Sequence, residues 1–299
     1  MSLAYGILAH KNPHQLERLF QAVYHPEDVF VLHVDRRAEP ALHRAAQRLA
    51  HKYGNVQVLK SRPIVWSGFE MARVQMDAMA EALRMDSQWT HFINLTGQDF
   101  PIKSREQIVG FLNASPRTSF ISWFDPLKTT YWKNARDRIS RHYFESAFVQ
   151  RLLFFPGIGR RIRSLFDWHA RPALPFYRKE MPQDFQYFGG SNHGVFSREA
   201  AQYLNEDPRA QRIIQWSKHT LHANEIVFQT ALLNSPLKPF LQNTDLREID
   251  FNPASPHPHI FTIGDIDTLI HSRQLFARKF DESLDREVLD RLEAHLQTA

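Results

Sequence analysis

The chain contains no cysteine. That excludes a disulfide framework and any thiolate metal site, and it suits a reducing compartment. Long apolar runs are missing too: nothing approaches the roughly 18–20 consecutive apolar residues of a membrane-spanning helix. The opening Met1-Ser-Leu-Ala-Tyr-Gly-Ile-Leu-Ala-His10 carries no basic leader, and its short apolar run is cut at His10-Lys11. It reads as a first strand rather than a signal peptide. Zinc-finger, RNA-recognition and helix-turn-helix signatures are absent, so the net charge of +5 and isoelectric point near 9.4 suit a polyanion without pointing to nucleic acid. The 16 histidines include His257 and His259 in a proline-rich turn, but none has metal-ligand spacing. No internal repeat, low-complexity tract or flexible linker divides the chain.

What is present is an ordinary globular composition, 43% hydrophobic and 23% charged over 299 residues, enough to bury one large core. Tyr5 to Ala9 reads as a strand and Asn12 to Val23 as a helix, with Pro13 in its first turn and Leu16, Leu19, Phe20 and Val23 along one face. A strand at Val29 to Val34, a helix from Pro40 to Lys52, a short strand at Val56 to Leu59 and an Ala- and Met-rich helix from Phe69 to Met85 follow. Further elements are a helix from Pro101 to Leu112, strands at Ser119 to Trp123 and His193 to Phe196, and helices near Arg198 to Leu204, Ala210 to Ser217, Glu225 to Leu233 and Thr262 to Ser272. Strands alternating with helices predict one α/β unit with a mostly parallel sheet.

The most informative stretch is His91-Phe-Ile-Asn-Leu-Thr-Gly-Gln-Asp-Phe-Pro-Ile-Lys103. Phe92, Ile93 and Leu95 read as a buried parallel strand, and Thr96-Gly97-Gln98-Asp99 as the loop at its carboxyl end, where open α/β sheets bind ligands. A carboxylate pair there could hold a divalent ion against a diphosphate, but Asp99 stands alone beside Gln98 and Gly97. A diphosphate ligand would then need arginine or lysine from elsewhere in the chain.

Seven fragments come in an order that resembles one family. They are Ala4-Tyr-Gly-Ile-Leu-Ala-His10, Leu32-His-Val-Asp35, Ile64-Val-Trp-Ser-Gly68, Phe92 to Ser104, Gly189-Gly-Ser-Asn192, Ala223-Asn-Glu225 and Leu275-Phe-Ala-Arg-Lys-Phe-Asp281. The chain resembles the core-2/I-branching β-1,6-N-acetylglucosaminyltransferases and peptide O-xylosyltransferases, except over roughly residues 125 to 188. Arg278-Lys279 and Asp245-Leu-Arg247 are closer to the xylosyltransferase branch. The resemblance implies a GT-A-type, Rossmann-like fold, a UDP-sugar donor, inversion at the anomeric carbon and no divalent metal or other cofactor. It divides the single domain into a nucleotide-binding half (1–124), a basic insertion facing acceptor or membrane (125–188) and an acceptor and catalytic half (189–299).

The same resemblance assigns roles. Arg278 and Lys279 would hold the diphosphate in place of a metal; apart from it they read as a solvated pair beside Asp281. Glu225, after Asn224 as a helix N-cap, would sit in a first helical turn and act as general base, or merely complement a helix end. Asp35 would accept the uracil N3–H, with backbone of Ile7 or Leu8 completing that edge; the alternative is a turn or cap aspartate. Trp66 would flank the donor or fill the core, and Arg62 could reach the same pocket. Asp99 either binds the sugar or caps the helix at Pro101. Asn192 stands near the transferred sugar where relatives carry Asp, and His193 stands where an aromatic is usual, a departure that points to a different sugar or acceptor.

On the acceptor side, Arg247 and Phe251 are candidates, Phe251 as a platform for a sugar ring, and Lys133, Arg136, Arg138 and Arg141 form an upstream basic cluster. Residues 151–179 interleave seven basic residues with Leu152, Phe154, Phe155, Ile162, Phe166 and Trp168, a pattern for an anionic membrane surface, a lipid-linked glycan or a basic helical lid. The partners expected are a UDP-sugar and a glycan or lipid-linked glycan, with no nucleic acid. The reading is a metal-independent inverting transferase of xylose or N-acetylglucosamine in bacterial surface polysaccharide synthesis, cytoplasmic or peripheral on the inner membrane face. The alternatives are another donor, such as UDP-glucuronate or UDP-galactose, or a non-catalytic nucleotide- or carbohydrate-binding protein.

Overall fold

The computed structural model describes residues 1–65, 68–86, 88–129, 132, 135–143, 180, 182–251 and 257–298, and the backbone of 173–178. Its centre is a seven-stranded sheet in the order β10-β6-β9-β4-β1-β2-β3. The strands are β1 (Leu3–Ala9), β2 (Val29–Val34), β3 (Val56–Val58), β4 (His91–Thr96), β6 (Ser119–Ile121), β9 (Gly194–Ser197) and β10 (Leu241–Asn243). β3, β2, β1 and β4 run parallel, with Ile7 in register with Leu32 on one side and Leu95 on the other. Only β9 runs against its neighbours β4 and β6. Every residue of β1 and β2 is buried, which explains their unbroken apolar sequences: a parallel strand covered on both faces has no solvent side to mark by alternation. Gly6 lets β1 pass under Phe92, since a Cβ there would lie 2.4 Å from the Phe92 ring.

Helices cover both faces. One layer holds α1 (Pro13–Val23), α2 (Pro40–Lys52), α4 (Arg105–Asn113), α9 (Ile266–His271) and α10 (Glu287–Thr298) over a core that includes Leu19, Phe20, Phe30, Leu95, Phe120 and Leu292. The other holds α3 (Phe69–Met85), α5 (Ala135–Ser140), α6 (Arg198–Glu206), α7 (Pro208–Ser217) and α8 (Val227–Leu233) around Met79, Trp89, Phe92, Phe196 and Phe228. Leu16, Leu19, Phe20 and Val23 are the buried stripe of α1, as their spacing predicts, each stabilising the fold by about 1.5–3 kcal/mol. The basic residue on that helix, Arg18, is buried as well and bonds Glu293 at 2.7 Å and Asp290 at 2.6 Å on α10. No described helix is long and apolar enough to cross a membrane.

Three departures from the sequence reading matter for the site. The helix predicted from Pro101 begins only at Arg105, where Ser104 and Gln107 form a reciprocal capping box, so Asp99 caps nothing. Asp99–Pro101 instead forms β5, which joins β12 (Phe276–Arg278) and β11 (Arg247–Ile249) in a second, three-stranded sheet. The helix predicted from Glu225 is broken: Ala223–Glu225 is a 3-10 turn, entered through His222 at φ 57°, and α8 starts at Val227. Asn224 therefore sits inside the turn, its amide directed to Met71 Sδ at 3.7 Å, and does not cap. β7 (Arg141–Tyr143) pairs with β8 (Ala173–Arg178) at the edge of the insertion.

Candidate active site

The site grows from the carboxyl ends of β1, β2 and β4. Two backbone bonds tie those ends together: Asp35 donates to the Ala9 carbonyl at 2.9 Å, and Gly97 to the Leu8 carbonyl at 2.9 Å. β5 then turns back from β4 and pairs antiparallel with β12, setting Asp99 opposite Arg278. The Asp99 carboxylate is wholly buried and accepts from Arg278 Nη1 at 2.9 Å and from the Thr96 N–H at 2.7 Å. Arg278 also donates to the Thr96 hydroxyl. Burial pushes the Asp99 carboxyl up, but the charges of Arg278 and Arg247 and the bond from Arg278 outweigh it and hold it below the usual carboxylate range.

Two more cations stand at this wall. Arg247 is buried, donates to the Asp245 carbonyl at 2.6 Å and to the Asn94 carbonyl, and lies 5.6 Å from the centre of the Phe276 ring. Burial pushes its guanidinium down, against Asp99 and Asp245. Lys279 is half-buried and has no ion pair among the described residues. Burial, and the like charges of Arg278 and Lys11, push its ammonium below the ordinary lysine value. An ammonium held this way gains from any anion brought beside it.

These residues face a cavity of about 700 Å³. Lys279, Arg278 and Arg247 line it with Asn192, His193 and Glu225. Glu225 comes from the 3-10 turn, with His222 Nδ1 3.7 Å from its Oε1 and the Gly190 N–H bonded to its carbonyl at 2.8 Å. Arg138 stacks on Trp132 at 5.0 Å and places positive charge near Glu225. Asn192 is fastened through its carbonyl by Asn94 at 2.7 Å and Gln75 at 3.1 Å, and its amide points to Met71 Sδ at 2.9 Å. Phe251, more than half exposed, stands at the rim.

The structure thus gathers Asn192, Glu225, Arg247, Phe251, Arg278 and Lys279 on one cavity, with Asp99 buried behind Arg278. Ile7, Asp35 and Arg62 are not among its lining residues. Ile7 is fully buried within β1. Asp35 is gripped by Arg37 Nη2 at 2.9 Å, the Arg37 N–H at 2.8 Å and the Ile64 N–H at 3.0 Å. Burial raises its carboxyl, and those bonds more than offset it, leaving it below the usual range. Arg62 pairs with Asp77 at 3.2 Å and Glu70 at 3.8 Å. Trp66, Lys133 and the side chains of 151–179 lie outside the described residues. The sequence reading did not select Gly190, His222 or Trp132 for the site; the doubled glycine at 189–190 was the one available signal of a close backbone approach. Among the described residues no group of three or more His, Asp or Glu side chains is placed to hold a metal ion.

A mostly parallel sheet between two helical layers, with a cationic cavity beyond its carboxyl ends, is the layout of a GT-A-like glycosyltransferase. The chain belongs to the Core-2/I-Branching enzyme family, whose profile matches residues 3–270. It is 28% identical over 315 residues to Xylosyltransferase 2 of Canis lupus familiaris, covering 98% of this chain and 33% of that protein. It is 25% identical over 323 residues to the beta-1,3-galactosyl-O-glycosyl-glycoprotein beta-1,6-N-acetylglucosaminyltransferase of Bos taurus, covering 99% of this chain and 69% of that protein. Xylosyltransferase 1 of Canis lupus familiaris is 26% identical over 98% of this chain and 30% of its own length. The chain spans about a third of the xylosyltransferases it matches.

Proposed function

We propose that this protein transfers xylose or N-acetylglucosamine from a UDP-sugar to a hydroxyl of a glycan acceptor, with inversion and without a divalent metal, in the synthesis of a bacterial surface polysaccharide. The observation that carries the reading is the placing of Glu225 and the Arg278-Lys279 pair on one cavity, joined by the Gly190–His193 stretch. The printed activities of the relatives, xylosyl and N-acetylglucosaminyl transfer, supply the two candidate sugars.

In this mechanism the acceptor oxygen attacks the anomeric carbon from the face opposite UDP. The acceptor proton passes to the Glu225 carboxylate, the new glycosidic C–O bond forms, and the bond to the β-phosphate oxygen breaks with its electron pair leaving on UDP. Arg278 and Lys279 stabilise the charge that develops there, as fixed donors in a partly desolvated site. Asp99 supports a metal-free site on a physical ground. Its carboxylate already accepts from Arg278 and the Thr96 N–H, so turning it to a cation would strip a guanidinium of its partner. Phe251 at the rim offers an apolar face for the acceptor ring.

The test is a panel of UDP-xylose, UDP-N-acetylglucosamine, UDP-glucuronate and UDP-galactose, assayed for UDP release and thermal stabilisation in EDTA and in Mn²⁺. UDP should raise the melting temperature equally in both conditions, and one of the first two donors should turn over in EDTA. Absence of UDP stabilisation would remove the donor-site reading; dependence on Mn²⁺ would remove the metal-free one.

A further inference from the structure

Among the residues lining the cavity, His193 keeps a buried ring nitrogen without a hydrogen-bond partner. It is only 5% exposed, and its backbone N–H is committed to Ser191 Oγ at 3.1 Å. Its ring Nδ1 is buried without a hydrogen-bond partner and faces Asp99 Oδ2 at 3.9 Å, and the residue is one of those lining the cavity. A buried ring nitrogen left in this state costs about 1–3 kcal/mol. Burial, together with the charges of Arg278 and Arg247, keeps the imidazole well below its usual range against the pull of Asp99, so the ring is neutral around pH 7. In a neutral imidazole one nitrogen carries the proton. The Asp99 carboxylate favours that proton on Nδ1, which leaves Nε2 as an acceptor.

Position says what it would accept from. The Gly190 N–H is bonded to the Glu225 carbonyl, and three residues later His193 faces the carboxylate that holds Arg278. One end of this stretch is therefore bonded to the backbone of the proposed base, and the other lies beside the carboxylate of the proposed diphosphate clamp. The group that must lie between a base and a departing β-phosphate is the transferred sugar. Asn192, the neighbouring polar residue, commits its amide nitrogen to Met71 Sδ, whereas the His193 ring has no described hydrogen bond.

We propose that His193 is a specificity-determining residue for the donor, its Nε2 accepting a hydrogen bond from a hydroxyl of the transferred sugar. The inference rests on the reading of the cavity as a donor site. An imidazole acceptor backed by a buried carboxylate selects sugars that present a hydroxyl at that position, because an analogue lacking it leaves the acceptor unpaired. An aromatic hydrocarbon at 193 would fill the space and accept nothing.

The experiment compares wild type, His193→Phe and His193→Gln for donor kcat/KM, with the inhibition constant of free UDP measured alongside. UDP carries no sugar, so it separates a sugar contact from a general disturbance of the site. His193→Phe should lower donor kcat/KM by about 10–100-fold and leave the UDP constant within about 3-fold, and His193→Gln, whose amide oxygen can replace Nε2, should recover most of the loss. Parallel weakening of UDP and donor, a glutamine variant no better than phenylalanine, or an unchanged kcat/KM would each overturn the assignment. Should the phenylalanine variant fail to fold, wild type on donors lacking single ring hydroxyls decides: one position should lose about 10–100-fold, and that same position should cost less in His193→Gln. Equal losses in both enzymes overturn the assignment. Wild type that neither binds UDP nor transfers a sugar defeats the donor-site reading itself, whereas an active enzyme indifferent to residue 193 defeats this inference alone.

Discussion

Asp99 and Arg278 stand directly opposite each other in the antiparallel pairing of β5 and β12, with Oδ1 2.9 Å from Nη1. The carboxylate is wholly buried and the guanidinium reaches the cavity, so one ion pair serves both the packing of the second sheet and the floor of the site. Ligand recognition and stability are therefore coupled at Arg278 in a way they are not at Lys279.

That difference is measurable. Arg278→Ala strands a buried carboxylate and should destabilise the protein by about 3–5 kcal/mol, with partial recovery in the Asp99→Asn, Arg278→Ala double variant. Lys279→Ala removes a cation that has no described ion-pair partner; it should leave stability within about 0.5 kcal/mol and weaken UDP by about tenfold. Denaturant titration and calorimetry read the two effects. Equal stability of the two single variants would contradict the coupling.

Glu225→Gln keeps the shape of the side chain and its place in the 3-10 turn while removing the proton acceptor. Turnover should fall by about 10²–10⁴-fold with UDP affinity unchanged. A variant that loses UDP binding along with turnover would assign Glu225 to the architecture of the site instead.

Acid should begin to destabilise the fold in the range where free histidine titrates. Burial pushes His33 and His91 down to about 4, against 6.5 for an unperturbed imidazole. Between those values the unfolded chain binds protons that the folded chain refuses, so stability is full above pH 6.5 and declines as pH falls toward 4. The loss is on the order of 3 kcal/mol for each ring, and His33→Gln with His91→Gln should flatten the slope whatever it does to stability at pH 7. Unfolding free energies that stay level from pH 7 to 4.5 would count against buried neutral rings.

Gly190→Ala tests how tightly the stretch beside Glu225 is seated. A Cβ at this position would lie 1.9 Å from the Ser122 carbonyl oxygen, a backbone atom with little room to yield. The variant should lose about 1–3 kcal/mol and most of its turnover, read by melting temperature and initial rates. Wild-type values for both would mean the stretch moves freely.

The first half of the fold is legible because its signals are local. Apolar β1, β2 and β4 alternate with helices such as α1 and α3, whose faces can be counted residue by residue. The site is legible only in its parts. Asp99 invites a search for cations, and Arg278 and Lys279 are found near the other end of the chain, yet nothing local says that they meet. Their meeting depends on β5, three residues that read as a turn into a helix and become a strand only by pairing with β12, 179 positions away. Glu225 misleads for a related reason: Asn224 has the composition of a helix cap, but Met71 of α3 draws its amide away. α10 is missing from the elements the sequence predicts, although Val288, Leu289 and Leu292 are buried at helical spacing.

Arg18 gives α10 a consequence for synthesis. Its guanidinium is enclosed in α1, while Asp290 and Glu293, which neutralise it, are translated more than 270 residues afterwards. On the ribosome the first helix can pack its apolar stripe early but must carry an unanswered positive charge until α10 emerges. Sealing this layer thus waits on residues made more than 270 positions after Arg18, however soon its strands are made.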